Sequence, residues 1–332
     1  MLIQGERVGL AALELSAAPS VSGWMHEPEL RRLAFMDFMF PQSQESAAAW
    51  IRDTSQNPRA RLLAVHRLED LALIGMMTVR KISWISQSAR FGIMLWPPDQ
   101  QGKGMGTEAR RIFLEYAFKQ LGFRRIYGEF ESTNTASRKS HEKLGAEVSV
   151  LLREATHLDG GYRNICQYTY PRERFLNEPA SPPRAESAAT GPVLVKDLDR
   201  AWGDFCLLPD ITEGPAIRDE WVARLPRCVR GESAVVLQPE WPRRNASLFT
   251  FRRVDDAWQP AAVDNDLLTI AVQKAFDELN VHRVQAFLPA TAQGPCDQLK
   301  ALGFQHEGQL DSILYSAGRF VDLAVLGRLR DT

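Results

Sequence analysis

At 332 residues, 45% of them apolar and 24% charged, the chain is long enough for two domains with ample cores and has an ordinary globular composition. A formal net charge of −1 removes the electrostatic basis for non-specific nucleic-acid binding. No stretch approaches the apolar length of a membrane span and no basic segment leads into an apolar core, so neither membrane insertion nor secretion is expected. The cysteines, Cys166, Cys206, Cys228 and Cys296, lack C-x-x-C spacing and read as free thiols of a reducing cytoplasm. His26, His66, His157, His282 and His306 show no ligand spacing either, and no metal is expected.

In chain order, Arg7–Leu13 reads as a strand, and Glu29–Phe40 and Ser43–Thr54 as helices. The bulky run from Leu33 to Pro41, with Phe35, Phe38 and Phe40, either packs a core or lines an apolar pocket. Leu62–Arg67, Leu73–Arg80 and Ser88–Leu95 follow as a meander, which Pro97 and Pro98 stop because proline donates nothing to a ladder. Next comes Gln101-Gly102-Lys103-Gly104-Met105-Gly106, directly ahead of a segment from Thr107 whose Ile112, Phe113, Tyr116 and Ala117 recur at helical spacing. A strand, a glycine loop and a helix start make an anion cradle. The first backbone N–H groups of a helix have no intrahelical partner, the macrodipole favours negative charge there, and glycine admits a phosphate without an intervening Cβ. As a lone pattern such a loop is equally an ordinary turn.

Arg125–Phe130 is the next strand, with Tyr127, Glu129 and Glu131 on one face and Gly128 and Phe130 on the other. A carboxylate beside an aromatic and near Glu131 suits a general base working near neutrality; the plain alternative is a pair of solvated surface carboxylates. Asn134 and Ser137 then stand where helix caps are favoured, and the helix they open runs through His141 into Glu142-Lys143-Leu144-Gly145. A histidine donates a proton near neutral pH, although an idle helix histidine is the equal reading. Lys103, Arg138, Lys139 and Lys143 either offset ligand charge or form a solvated basic face.

Gln101, Gly104 and Gly106 at the head of a helix, followed by a strand, an Asn-containing loop and a helix ending in Glu142-Lys143-Leu144-Gly145, resemble the GNAT superfamily of acyl-CoA-dependent N-acyltransferases over residues 1–175. Within it the chain is most similar to the ribosomal-protein alanine N-acetyltransferase subgroup, supported by Glu45 to Ile51, Leu73 to Gly75 and Leu152 to Tyr162. The resemblance implies a mixed α/β sheet and acetyl-CoA, or another acyl-CoA, as co-substrate. Gln101, Gly102, Lys103, Gly104, Met105, Gly106 and Thr107 would hold its pyrophosphate, Ile93, Met94 and Leu95 its pantetheine arm, and Asn134 and Ser137 its flank. It further implies Glu129 as base, His141 as acid where the family often has a tyrosine, and Phe35, Phe38 and Phe40 at the acceptor.

Residues 176–192, rich in Pro, Ala and Ser, read as a linker. Beyond it the chain repeats itself. Lys143-Leu144-Gly145 and Ala301-Leu302-Gly303, Phe123 to Ile126 and Val281 to Val284, and Tyr162 to Asn164 and Phe320 to Asp322 all share an offset of 158. The same offset puts Gln259 opposite Gln101, Ala262 opposite Gly104, Asp264 opposite Gly106, Phe287 opposite Glu129 and Leu299 opposite His141. Residues 193–332 therefore read as a degenerate copy without a pyrophosphate loop, the plainer alternative being an unrelated α+β domain.

The expected protein is a cytoplasmic, tandem α/β enzyme, monomeric as an internal pseudo-dimer or homodimeric. It would transfer an acyl group directly from acyl-CoA to a small-molecule amine or, alternatively, to a protein N-terminus. A non-catalytic acyl-CoA-binding regulator, or transfer from an acyl carrier protein, are the rival readings.

Overall fold

The computed structural model describes residues 3–28, 30, 42–84, 86–100, 102–158, 160–177, 227–231, 233–240, 244–254, 257–260, 263–316 and 319–330. Nearly all of the expected helix over 29–40, with Phe35, Phe38 and Phe40, lies outside the described residues, as do Gln101, Ala262 and most of the linker over 176–192. Among the described residues no helix is long and apolar enough to cross a membrane. The chain divides into two units, Met1–Val148 with Gln167–Ser181, and Ser149–Cys166 with Pro182–Thr332.

In the first unit β1 (Ile3–Gln4), β2 (Val8–Ala12), β3 (Arg61–Arg67), β4 (Leu73–Ser83), β5 (Ser88–Leu95) and β6 (Arg125–Glu131) are neighbours in that order, followed by the end of β8 (Gly161–Pro171). Pairing is antiparallel from β1 to β5 and parallel between β5 and β6. A parallel pair needs a crossover, and α3 (Met105–Lys119) supplies it between the two strands. Ala109, Phe113, Leu114, Ala117 and Phe118 form the buried stripe of α3, the spacing of a helix packed on a sheet. Two earlier helices, α1 (Ala18–His26) and α2 (Gln44–Gln56), build a second layer. Their Val21, Met25, Ala47 and Ile51 pack with Leu62, Ala64, Met76 and Met94 of the strands. α2 starts where its sequence directs: the Ser43 hydroxyl accepts from Ser46 N at 3.0 Å. A short helix, α4 (Thr135–Glu142), follows β6, and α5 (Arg172–Phe175) follows β8.

The second unit has the order β8, β7 (Glu147–Leu158), β14 (Gln305–Ser316), β15 (Arg319–Leu329), β13 (Arg283–Pro289), β11 (Asn245–Val254), β10 (Ser233–Glu240) and β9 (Arg227–Arg230), with β12 (Ala257–Pro260) paired to β11. Leu267, Ala271, Val272 and Ala275 of α6 (Asn265–Asp277) and Leu299 of α7 (Gln293–Ala301) pack with Val235, Leu248, Val284 and Leu326 in its core.

A division after residue 175 is not what the packing follows. Val150 pairs with Gly308, Asn245 Nδ2 donates to Ala155 O at 2.7 Å, and Arg153 Nε donates to Glu307 at 3.2 Å. The outer part of the β7–β8 hairpin is thereby built into the second unit, because an unpaired strand edge seeks a partner for its N–H and C=O groups. Arg283 is fully buried there, its guanidinium donating to both oxygens of Glu307 at 2.9 and 2.5 Å. Leaving one buried charge uncompensated costs about 3–5 kcal/mol. Glu307→Gln is accordingly expected to destabilise this unit by an amount in that range, read as a lower denaturation midpoint, with little effect on ligand binding in the first unit.

Elements of the two halves recur with one spacing. β6 and β13, β7 and β14, and β8 and β15 each begin and end 158 residues apart. The irregular backbone follows the same spacing. Glu154 and Ser312 have φ near +48°, and their N–H groups donate to Asn164 and Asp322 side chains at 2.8 and 2.6 Å. Gly145 and Gly303, at +79° and +81°, close α4 and α7.

Candidate functional site

The parallel pairing of β5 with β6 stops at Arg90 and Tyr127, whereas β5 stays paired with β4 as far as Leu95. Beyond Arg90 the two parallel strands part, leaving one edge of Phe91–Leu95 without its β6 ladder. Ile93, Met94 and Leu95 lie in this stretch.

Gly102 and Gly104 have φ of +73° and +82°, a region that glycine enters without strain. Gly104 is the N-cap of α3, and among the described residues no side chain caps that helix. The loop is braced from behind. Arg7 N and Nε donate to the Glu108 carboxylate at 2.7 and 2.8 Å, and Arg7 Nη1 donates to Lys103 O at 2.8 Å. Glu108 is held below the usual carboxylate range, burial opposing the shift and the bonds from Arg7 and Val8 outweighing it. Lys103 is exposed and Met105 buried. Asn134 Oδ1 accepts from Ser137 N at 2.9 Å and so caps α4, the role expected of that pair.

Glu129 is almost buried, with its side chain 8% exposed. Its neighbour is not Glu131 but a cation: Arg90 Nη2 donates to Glu129 Oε2 at 2.8 Å, and Gln167 Nε2 to Oε1 at 3.0 Å. The register explains the exchange. Arg90 pairs with Tyr127, so its long side chain reaches the residue two further along the same face of β6. Glu131, 2% exposed, is turned to local use, accepting from Thr133 N at 3.2 Å and from the Thr133 hydroxyl.

His141 departs further from expectation. It is 3% exposed, its Nδ1 lies 2.7 Å from the Tyr170 hydroxyl, and its ring centroid stands 3.8 Å from that of Tyr168. Phe130 stacks on it and Phe91 meets it edge-on. Burial, with the charge of Arg110 adding to it, pushes the imidazolium pKa down to about 2. The ring is neutral at physiological pH, so it cannot be the imidazolium acid that its sequence position invited. Tyr168 and Tyr170 are pushed up by burial and stay phenols. Gly128 belongs to the same cluster, since a Cβ there would collide with the Tyr168 ring and with Phe91 O. Sequence reading missed Arg90, Arg110, Tyr168 and Tyr170. The alternation of Tyr168 and Tyr170 was the visible sign of the last two, and nothing local marked their partners.

The buried ring has a consequence for stability. In the unfolded chain a histidine binds a proton below about 6.5, whereas folded His141 does so only near 2. Stability from this group is therefore complete above pH 6.5 and is lost progressively as pH falls through that window. Between pH 7 and pH 5 the wild type is expected to lose roughly 2 kcal/mol by this route. His141→Phe should show correspondingly less change, measured by denaturant unfolding at the two pH values.

In the second half, Asp264 caps α6, its Oδ1 accepting from Asp266 N at 2.7 Å and Leu267 N at 3.3 Å. The helix start that is open in α3 is closed in α6 by the protein's own carboxylate. Phe287 and Leu299, opposite Glu129 and His141, are both buried core residues.

Residues 7–147 match the family model described as the acetyltransferase (GNAT) domain. Over that segment the chain is similar to GNAT acetyltransferases. The spermidine N(1)-acetyltransferase of Escherichia coli K12 is 27% identical over 108 residues, 32% of this chain and 58% of that protein. The putative ribosomal N-acetyltransferase YdaF of Bacillus subtilis is 24% identical over 111 residues, 33% of this chain and 60% of that protein. The chain thus spans about three fifths of the length of these curated relatives. Among solved structures, spermidine N-acetyltransferase from Vibrio cholerae in complex with CoA and spermine is 22% identical, with a TM-score of 0.48 over 52% of this chain and all of that one.

Proposed function

We propose that the GNAT-like domain is an acyl-CoA-dependent N-acyltransferase, using acetyl-CoA and a small-molecule amine. The observation that carries this reading is the uncapped, glycine-headed start of α3 beside the parting strands β5 and β6, which together suit a pyrophosphate and an extended thioester arm. Gly102, Lys103, Gly104, Met105, Gly106 and Thr107, with Gln101, would hold the pyrophosphate. Ile93, Met94 and Leu95 would hold pantetheine, with Asn134 and Ser137 at its flank. Phe35, Phe38 and Phe40 are proposed for the acceptor side.

In the proposed reaction the amine gives its proton to Glu129 and attacks the thioester carbonyl. The C–N bond forms, the C–S bond breaks, and the second proton of the attacking nitrogen passes through water to the departing thiolate. His141 acts in neutral form. With the Tyr170 hydroxyl donating to Nδ1, the ring proton sits on Nε2 and is available as a hydrogen-bond donor to the departing sulfur. The names of the spermidine acetyltransferase relatives support a small polyamine-like acceptor, and that of the ribosomal relative supports a protein N-terminus as the second reading.

Both readings meet the same test. Purified full-length protein with acetyl-CoA is assayed for free CoA against polyamines, amino sugars and N-terminal peptides. Turnover of the small amines alone supports the first reading, and turnover of peptides alone replaces it with the second. CoA binding without turnover of any amine would leave a regulator that senses acyl-CoA.

We also propose that the second half is a duplicated and degenerate GNAT-like domain. Paired strands 158 residues apart and the matching positive-φ residues Glu154 and Ser312 support this.

A further inference from the structure

The second unit carries a cleft of about 760 Å³, a volume in the range of small-molecule sites. Arg153 of β7, Arg328 of β15 and Arg330 just past it line this cleft, with Leu302 and Gly303 after the end of α7 and Gln305 at the start of β14. Among the described residues, three of the eight that line it are arginines and none is Asp or Glu. A concave surface lined by one sign of charge focuses its field and concentrates ions of the other sign. The three arginine side chains are half-buried, so their guanidinium groups are positioned yet reachable.

Each cation is anchored without being used up. Arg153 Nε donates to Glu307 at 3.2 Å and its Nη2 to Gly327 O at 3.4 Å, which sets its head group against the strand just before Arg328. Glu307 already gives both oxygens to buried Arg283, so one carboxylate serves two guanidinium groups and positive charge is left over. Arg328 Nη1 donates to Leu302 O at 2.8 Å, and its guanidinium lies 5.5 Å from the centroid of the Phe276 ring. Arg330 N donates to His282 O at 2.9 Å and its Nη1 to Asn280 Oδ1 at 2.8 Å. Among the described residues no ion pair holds Arg330, and its Nε and Nη2 have no partner. A phosphoryl group offers enough oxygens to accept from more than one guanidinium fork, whereas a carboxylate is filled by a single one. We propose that this cleft is a binding site for a phosphorylated small molecule, held by Arg153, Arg328 and Arg330. It lies in the second unit and does not depend on the acyl-CoA reading of the first.

The test is calorimetry with inorganic pyrophosphate on the full chain, in the Gly104→Asp background so that the glycine loop of α3 does not compete for the probe. Binding is expected, and Arg330→Met added to that background should weaken it about tenfold or more, the loss of charged hydrogen bonds. Arg330 suits the test because its backbone bond to His282 and the whole of β15 survive the change. Arg330→Lys, which keeps the charge but not the fork of donors, should fall between. Arg328→Met should weaken pyrophosphate as well, and thermal unfolding of each variant separates lost contact from lost fold. Citrate, an anion without phosphate, should bind more weakly than pyrophosphate. Absence of pyrophosphate binding, or equal affinity with and without Arg330→Met, overturns the proposal. Citrate binding as tightly as pyrophosphate overturns the assignment to a phosphorylated ligand.

Discussion

Gly104→Asp is expected to abolish CoA binding, lowering affinity by more than about a hundredfold, while the protein stays folded. The reason is visible within the chain. At φ of +82° Gly104 occupies a region that aspartate tolerates better than most residues, so the folding cost is about 1 kcal/mol. The new carboxylate would stand on the helix start, as Asp264 does on α6, with like-charge repulsion added to lost access. Gly104→Asn, a neutral side chain of the same shape, should bind CoA more weakly than wild type but better than the aspartate variant. Titration of the wild type should give one CoA per chain. Two equivalent sites per chain would overturn the degenerate reading of the second half, and an aspartate variant of undiminished affinity would remove the loop from the site.

Glu129→Gln is expected to lower kcat by roughly 10²–10⁴, with CoA affinity nearly unchanged, using acetyl-CoA and whichever amine turns over fastest. The amide keeps the shape of the side chain but has a single acceptor oxygen, so it accepts from Arg90 or from Gln167 and not from both, and it takes up no proton. The acidic limb of the pH–rate profile should disappear with it. Because Glu129 also holds Arg90 in place, the variant's unfolding midpoint must be compared with wild type before the rate is read. A folded variant with an unaltered rate at neutral pH would pass the role to bulk water, since Glu131 is committed to Thr133. No alkaline limb from His141 is expected, because its imidazolium is absent over the working range.

The local signals in this sequence served well where structure is local. The helix read over Ser43–Thr54, the helical spacing from Thr107, the Asn134–Ser137 cap and the strand limits at Ser88 and Leu95 rest on hydrogen bonds and packing within a few residues; the cap and the strand limits are found where the pattern puts them, and the two helices run Gln44–Gln56 and Met105–Lys119. The glycine loop was legible for the same reason, as φ above zero is a property of one residue.

What only the tertiary structure decided is protonation, partnership and allegiance. Glu129 reads as the neighbour of Glu131 along its strand, but a parallel partner carries Arg90 to it from 39 positions away. His141 reads as a surface helix residue with a titratable ring, but four aromatic side chains from three strands close over it and keep it neutral. Arg110 reads as one more basic residue on an amphipathic helix, but its Nε is closed to solvent and has no hydrogen-bond partner among the described residues. The β7–β8 hairpin reads as the end of the first domain, but a strand edge must be paired, and β14 of the second unit offers the pairing. Capping, spacing and backbone sign are properties of short segments that the sequence alone determines. A residue's charge state and its neighbours depend on what the whole fold brings within a few ångströms, and no local pattern encodes that.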